Sequence, residues 1–372
     1  MGFPLDVINS SLQELMPDLV DAFTKKHPAL DKFFTQRGME KAKGRYVEFP
    51  VVYGGPGRNN EIREGTTAIK GGRAQKTTKG SLYTNRVVRA YDVPRGDLAE
   101  ANTEFDLVGI LEQYPLAEVD AFREEFVTQL VLGGQTAIGL GGFFSLNGEQ
   151  TYNPRGHGAE NGLFSYATRA AQVTAGTTVH GIAASTVDNQ GWTHGFGTIS
   201  AFPTNGRRVM RDTYYDANAK GRTMGSIDII LADPTTYINY EDEHISHVRV
   251  MEVKGDRVEA DPHAAGIQFI DGSGCMIYRE EAIDLTSTLL PAAQREGGAA
   301  AGVAFMLNSK TFLARFHEDP EMAAKKIESG LISVEPLYRM QGEDSYRGEL
   351  VIHFNMACRS LRNNAVVVGG AL

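Results

Sequence analysis

The chain has 372 residues, 42% hydrophobic and 22% charged, with 9% aromatics. That apolar share excludes an intrinsically disordered chain and leaves room for about two to three domains. No stretch approaches the roughly 20 apolar residues of a transmembrane helix, and no cationic start leads into an apolar block, so a soluble intracellular protein is expected. With 46 Asp/Glu against 37 Lys/Arg the net charge is −9, unlike a generally basic nucleic-acid binder.

Cys275 and Cys358 stand far apart, outside any Cys-x-x-Cys pair, and are expected as buried small side chains. Glycine is in excess, 41 residues where about 7% is usual, which argues for turns and long irregular loops.

Taken in chain order, Ile8, Leu12, Leu15, Leu19 and Phe23 share a helical face that Pro17 interrupts. Tyr46, Phe49, Val51, Val52 and Tyr53 predict a strand. Gly54-Gly55-Pro56-Gly57 ends it, and a second strand is predicted over 82–93. The pattern is strand, long polar excursion, strand. Between residues 58 and 95 nine Lys/Arg face three acids, a block of +6. Between residues 100 and 125 eight acids face Arg123 alone, a block of −7. Such opposed blocks meet either within one chain or between chains, where they steer assembly and fix register. After Pro115, Val119, Phe122, Phe126 and Leu130 form an apolar stripe at spacings of three and four, which predicts a helix.

Residues 133–225 hold 17 glycines, three Asn-Gly pairs and the single tryptophan, Trp192. They are expected as a loop system or insertion. Regular texture returns with Ile227, Ile229, Ile230 and Leu231 as a buried strand. Asp233 then caps a helix with Pro234 at its first position, running to about His247. Short strands are predicted over 248–253, 266–270 and 275–278. The run 304–316 is apolar, and 349–357 alternates as a half-buried strand. The stretch Ala365-Val366-Val367-Val368 predicts another.

Catalytic motifs do not emerge. The sequence carries no P-loop, dinucleotide fingerprint, Gly-x-Ser-x-Gly elbow or His-Glu-x-x-His. Glu241-Asp242-Glu243-His244 with His247 is the best metal candidate, and it is read as the wet face of a helix. His157, His180 and His194 are too scattered for ligand geometry. No catalytic residue, cofactor or metal is expected.

The order of these segments resembles the major capsid protein of tailed bacteriophages. That resemblance implies an α+β chain of the Hong Kong 97-type capsid fold. It has an N-terminal arm (1–43), an extended two-stranded loop (44–95) and a peripheral domain with a long spine helix (96–144). An axial domain with a Gly-rich insertion (145–335) and peripheral closing strands (336–372) complete it. The loop match includes Arg58-Asn59-Asn60-Glu61-Ile62-Arg63-Glu64-Gly65, the axial match Ser226 to Pro234, and the closing match Glu349 to Ala357 and Arg362 to Val368. Two features depart from the pattern. Residues 145–225 exceed a minimal axial domain, and no charged helical prefix precedes the arm, so either a separate scaffolding protein or a removed prefix is expected, Met1 favouring the scaffold.

The implied function is structural: pentamers and hexamers forming an icosahedral shell around double-stranded DNA. The chain is then a virion protein assembled in the host cytoplasm. Its partners are other copies, a scaffold, a portal, a decoration protein, and DNA held by weak non-specific contact, with no membrane. The expected contacts between subunits are Arg58, Arg63, Lys70, Arg73, Lys76 and Lys79 in the basic loop and Glu112, Glu118, Asp120, Glu124 and Glu125 in the acidic spine region. Covalent Lys-to-Asn cross-links occur in some members; Lys70, Lys76 and Lys79 lie in the corresponding loop, without a motif for that chemistry. An encapsulin, a nanocompartment shell around enzyme cargo, is the alternative, and a cytosolic α/β enzyme with an unmarked site is the third reading.

Overall fold

A computed structural model of the chain describes residues 39–42, 46–52, 77–83, 85–100, 109, 113–114, 118–119, 121–122, 150–151, 160–161, 178–179, 182–184, 192–221, 224–247, 267–269, 275–280, 302–317, 333–339, 342 and 344–369. The N-terminal helical face, the strand expected over 248–253 and the Phe126 and Leu130 part of the apolar stripe lie outside them.

Eighteen strands are described. The first four are β1 (Met39–Ala42), β2 (Tyr46–Val52), β3 (Thr77–Tyr83) and β4 (Asn85–Pro94), followed by a short helix α1 (Arg95–Glu100). Two-residue strands come next as antiparallel pairs, β5 (Gln150–Thr151) with β6 (Glu160–Asn161) and β7 (Thr178–Val179) with β8 (Ile182–Ala183). Then follow β9 (Gly195–Ile199), a π turn (Phe202–Gly206), α2 (Arg207–Lys220), β10 (Ile229–Ala232) and α3 (Pro234–His247). The remaining strands are β11 (Ile267–Gln268), β12 (Met276–Arg279), β13 (Val303–Leu307), β14 (Phe312–His317), β15 (Ser333–Val334), β16 (Tyr338–Arg339), β17 (Ser345–Cys358) and β18 (Ala365–Gly369).

One six-stranded sheet has the order β11-β12-β10-β13-β18-β9. Its strands β10, β13 and β18 are continuous apolar runs, and residues 229–232, 303–307 and 365–368 are all buried. Alternate residues point to opposite faces, so such runs belong to a sheet covered on both sides. One face meets the two longer helices. Ile230, Ala232, Ile277, Ala304, Met306, Ala365 and Val367 pack there with Met210, Tyr214 and Ala217 of α2, Tyr240 of α3 and Phe269. β10 and β12 run parallel with α3 between them in sequence, a βαβ unit.

The other six-stranded sheet is built around β17. Residues 345–354 pair with β4, and the opposite edge takes β14, β15 and β16; β1 adds in parallel to β14. The expected half-buried alternation is seen at residues 347–350, where Gly348 and Leu350 are buried and Arg347 and Glu349 stay partly exposed, and Val351 beyond them is buried as well.

β2 and β3 form their own antiparallel pair, Tyr46 opposite Tyr83 and Val52 opposite Thr77, so the chain between residues 52 and 77 leaves and returns at one place. The single strand predicted over 82–93 is thus divided between two strands with different partners, β3 on β2 and β4 on β17. The base of the excursion is anchored. Phe49 and Val51 are buried, and the Val52 N–H donates to the Arg359 carbonyl at 2.9 Å.

Two further expectations are corrected. Within the region read as loops, residues 192–221 form β9, the π turn and the 14-residue helix α2, and Trp192 is buried, its indole N–H donating to the Val179 carbonyl at 3.1 Å. Two glycines there serve close packing. A Cβ at Gly197 of β9 would lie 2.3 Å from the Thr213 hydroxyl oxygen of α2, and one at Gly221 would lie 2.2 Å from Asn363 Cγ. The two closing strands also part company: β17 stays with β4, whereas β18 joins β13 and β9 in the first sheet.

Candidate functional site

The helix after Pro115 is helical at residues 118–119 and 121–122, and Val119 and Phe122 are buried there, as the stripe predicts. Of the expected contact residues, Lys79 and Glu118 are described. Arg58, Arg63, Lys70, Arg73, Lys76, Glu112, Asp120, Glu124 and Glu125 lie outside the described residues.

Lys79 Nζ lies 2.9 Å from Glu48 Oε2, across the β2–β3 pair and in solvent. Glu118 accepts from Arg89 Nε of β4 at 2.5 Å, both side chains about one-third exposed. One link between the basic and acidic blocks is therefore made within the chain. On the same sheet Arg347 of β17 holds Asp92 of β4 through two parallel bonds, Nε to Oδ1 at 2.7 Å and Nη2 to Oδ2 at 3.0 Å. That hydrogen-bonded guanidinium keeps the Asp92 carboxyl below its ordinary range, against a smaller opposing effect of desolvation.

The most elaborate polar arrangement lies where the chain crosses between the sheets. Two such crossings lie wholly within the described residues, 308–311 from β13 to β14 and 359–364 from β17 to β18. Asn308, Thr311, Ser360, Asn363 and Asn364 are all buried there. Asn364 Oδ1 accepts the Asn308 N–H at 2.8 Å, and Asn364 Nδ2 donates to the Ser360 carbonyl at 2.8 Å and to Thr311 Oγ1 at 3.1 Å. Asn363 Nδ2 donates to the Gly221 carbonyl at 2.7 Å, at the end of α2. Asp228 accepts from the Ser309 N–H at 2.8 Å and from the Ser309 hydroxyl. Buried amides with their donors and acceptors met by fixed partners rigidify a joint.

Asp233 performs the capping role expected of it. Its carboxylate accepts the N–H groups of Thr235 at 3.1 Å and Thr236 at 3.2 Å, and also that of Val303 at 2.8 Å. Burial pushes its pKa up, and these donors oppose the rise. Neither cysteine has the character of a nucleophile. Both are buried and outside any disulfide, and desolvation raises both thiols, Cys358 to about 12. Among the described residues no group of three His, Cys, Asp or Glu side chains is placed to hold a metal ion, and no helix is long and apolar enough to cross a membrane.

No protein-family model matches the sequence, and no curated protein matches it. Solved structures do. A chain of the cyanophage A-1(L) capsid asymmetric unit matches with a TM-score of 0.55 at 14% identity, over 93% of each chain. The chain has the Hong Kong 97-type capsid fold. A Mycobacterium phage Bobi chain matches at a TM-score of 0.48 and 14% identity, over 94% of this chain and 92% of that one. The SrpI encapsulin of Synechococcus elongatus PCC 7942 matches at 0.47 and 8% identity, over 91% and 86%. In this capsid fold the paired charges of β4 and β17 lie on one sheet, and the buried amides mark the crossing to the other. A third polar group, Arg207, Arg208 and Arg211, stands at the start of α2, within the segment whose glycine content predicts loops.

Proposed function

We propose that the chain is the major capsid protein of a tailed bacteriophage, a structural protein of the virion. Copies assemble as pentamers and hexamers into an icosahedral shell enclosing double-stranded DNA. The observation that carries this reading is a capsid fold matched over 93% of both chains. The physical logic agrees with it. A closed shell repeats one subunit, and each copy needs several distinct contacts. A tethered excursion between β2 and β3 gains interface area that a compact domain lacks, at an entropic cost of ordering.

On this reading the β17 sheet belongs to the peripheral domain and the β10 sheet to the axial domain, with β18 joining the axial one. The arm (1–43) and the extended loop (44–95) reach neighbouring copies. A scaffolding protein, a portal and a decoration protein are the expected partners, with DNA held weakly and assembly in the host cytoplasm. The basic loop residues dock on the acidic spine region of a neighbour. Reversing Arg73, Lys76 and Lys79 to Glu is then expected to block assembly and leave the subunit folded, because the exposed Lys79–Glu48 pair contributes little to stability. Electron microscopy with circular dichroism of the triple variant checks this, and normal shells would sink the docking.

The cargo tests the reading as a whole. Native particles built from this chain are expected to contain nuclease-protected double-stranded DNA. Particles holding an enzyme and no DNA would replace it with the encapsulin reading.

A further inference from the structure

One of the Asn-Gly pairs of the glycine-rich region, Asn205-Gly206, lies in the π turn that leads into α2. Packing and hydrogen bonding hold both residues there. Gly206 is buried, and a Cβ on it would lie 2.7 Å from Cγ of Phe202, whose ring is 1% exposed and part of the core beneath α2 and α3. No larger residue fits so close an approach. Asn205 Oδ1 accepts the Ser200 N–H at 3.1 Å, tying the turn back to the residue that follows β9.

The same pair is chemically reactive. In an unrestrained chain the Gly206 nitrogen, losing its proton, attacks Asn205 Cγ. A Cγ–N bond forms, the Cγ–Nδ2 bond breaks, and ammonia leaves with that proton. Water then opens the succinimide at either carbonyl, giving aspartate or isoaspartate at position 205. Glycine favours the attack, because no side chain shields its nitrogen and its backbone moves freely.

Exposure and geometry pull in opposite directions. Asn205 is half-buried and lines an open cavity of about 310 Å³ with Thr204 and Arg207, so it is within reach of solvent. Ring closure, however, needs Asn205 Cβ and the Gly206 nitrogen nearly eclipsed about the Asn205 Cα–C bond, a rotation well outside the helical range. The turn holds helical backbone. The Ala201 carbonyl accepts the N–H groups of Thr204 and Asn205, both at 3.1 Å, and Gly206 has φ −55° and ψ −58°. Reaching the ring therefore opens the turn, lifts Gly206 off Phe202 and strips the Ser200 N–H of its acceptor. Misplaced reacting atoms lose rate by orders of magnitude, whereas exposure supplies only water, so geometry decides. We propose that Asn205 is a latent deamidation site, silent while the π turn is closed and converted when it opens, so that the modification permanently marks subunits that have opened there. Refolding does not erase the mark. Isoaspartate adds a main-chain methylene just where Gly206 must sit against Phe202.

The test follows conversion at Asn205 in the full-length chain at mildly alkaline pH, by peptide mass spectrometry with isoaspartate methyltransferase labelling. Native chain and chain in denaturant are incubated in parallel. Conversion is expected to be at least about tenfold faster in the denatured chain. There Gly206→Ala is expected to slow it, which identifies the attacking nitrogen. Phe202→Ala removes the ring from Gly206 and leaves the dipeptide intact. If it folds, by circular dichroism, its native-state rate is expected to rise severalfold; if it does not, the wild-type comparison carries the test alone. Equal rates in native and denatured wild type would overturn the protection. No conversion in the denatured chain would overturn the site itself, and a folded Phe202→Ala converting at the wild-type rate would overturn the π turn as the element that silences it.

Discussion

Asn364→Ala is expected to lower the stability of the unassembled subunit by about 3–5 kcal/mol. The side chain is buried, and three of its hydrogen bonds go with it. The Asn308 N–H, also buried, then loses its acceptor. An unsatisfied buried group costs about 1–3 kcal/mol, and the Ser360 carbonyl and Thr311 hydroxyl each lose a donor at the same time. Thr311 is itself committed, its hydroxyl donating to the Asn308 carbonyl at 2.8 Å. One truncation therefore loosens the 308–311 and 359–364 crossings together. Asn364→Asp keeps an acceptor for the Asn308 N–H but, when charged, sets a buried carboxylate oxygen against the Ser360 carbonyl, so a loss at least as large is expected where the carboxylate is ionised and a smaller one at low pH, where the protonated acid can still donate. Denaturant unfolding of the two variants checks this, and a change below about 1 kcal/mol for Asn364→Ala would mean that solvent replaces the lost partners.

Phe122→Asp is expected to cost about 3–5 kcal/mol, the penalty of an uncompensated buried charge. Phe122 is 1% exposed, and Val119, one helical step before it, is fully buried. Phe122→Leu keeps an apolar side chain of similar reach and is expected to cost less than about 1.5 kcal/mol. The contrast between the two variants separates a charge effect from simple loss of volume. Equal thermal midpoints for wild type and Phe122→Asp would show that this face of the helix does not support the fold.

The residues differ in how plainly they announced their places. Ile229–Ala232 and Ala365–Val368 were legible because a short, uninterrupted apolar run has nowhere to go but a doubly covered strand. Asp233-Pro234 was legible because an Asn- or Asp-type cap followed by proline suits few other structures. Helix α2 was not. Its buried face is Met210, Thr213, Tyr214 and Ala217, with one strongly apolar residue among them, and the glycines before it pointed to loops. Gly197 in fact lets β9 approach α2, a use of glycine that composition does not distinguish from a turn. The signal that was available lay in charge, in Arg208–Asp212 and Asp216–Lys220 at helical spacing.

The candidate contacts show the same limit. Sequence gives the sign of a charge block and not its partner. Arg89 and Glu118 belong to opposed blocks and meet inside the subunit, while Lys79 is taken up by Glu48, an acid outside the acidic block. Glu243 of α3 and Arg207 of α2 line one cavity, which only the fold provides. The crossing between sheets likewise joins Asn308 to Asn364 and Gly221 to Asn363, pairs no local pattern connects.

Negative-stain electron microscopy of the purified chain, with light scattering on the same sample and with its scaffolding protein supplied where one is found, addresses self-assembly most directly. Hollow icosahedral shells, or rings of five and six subunits, are expected. A monodisperse particle of about 40 kDa under every condition, scaffold included, would contradict the shell function and return the chain to the class of enzymes with an unmarked site.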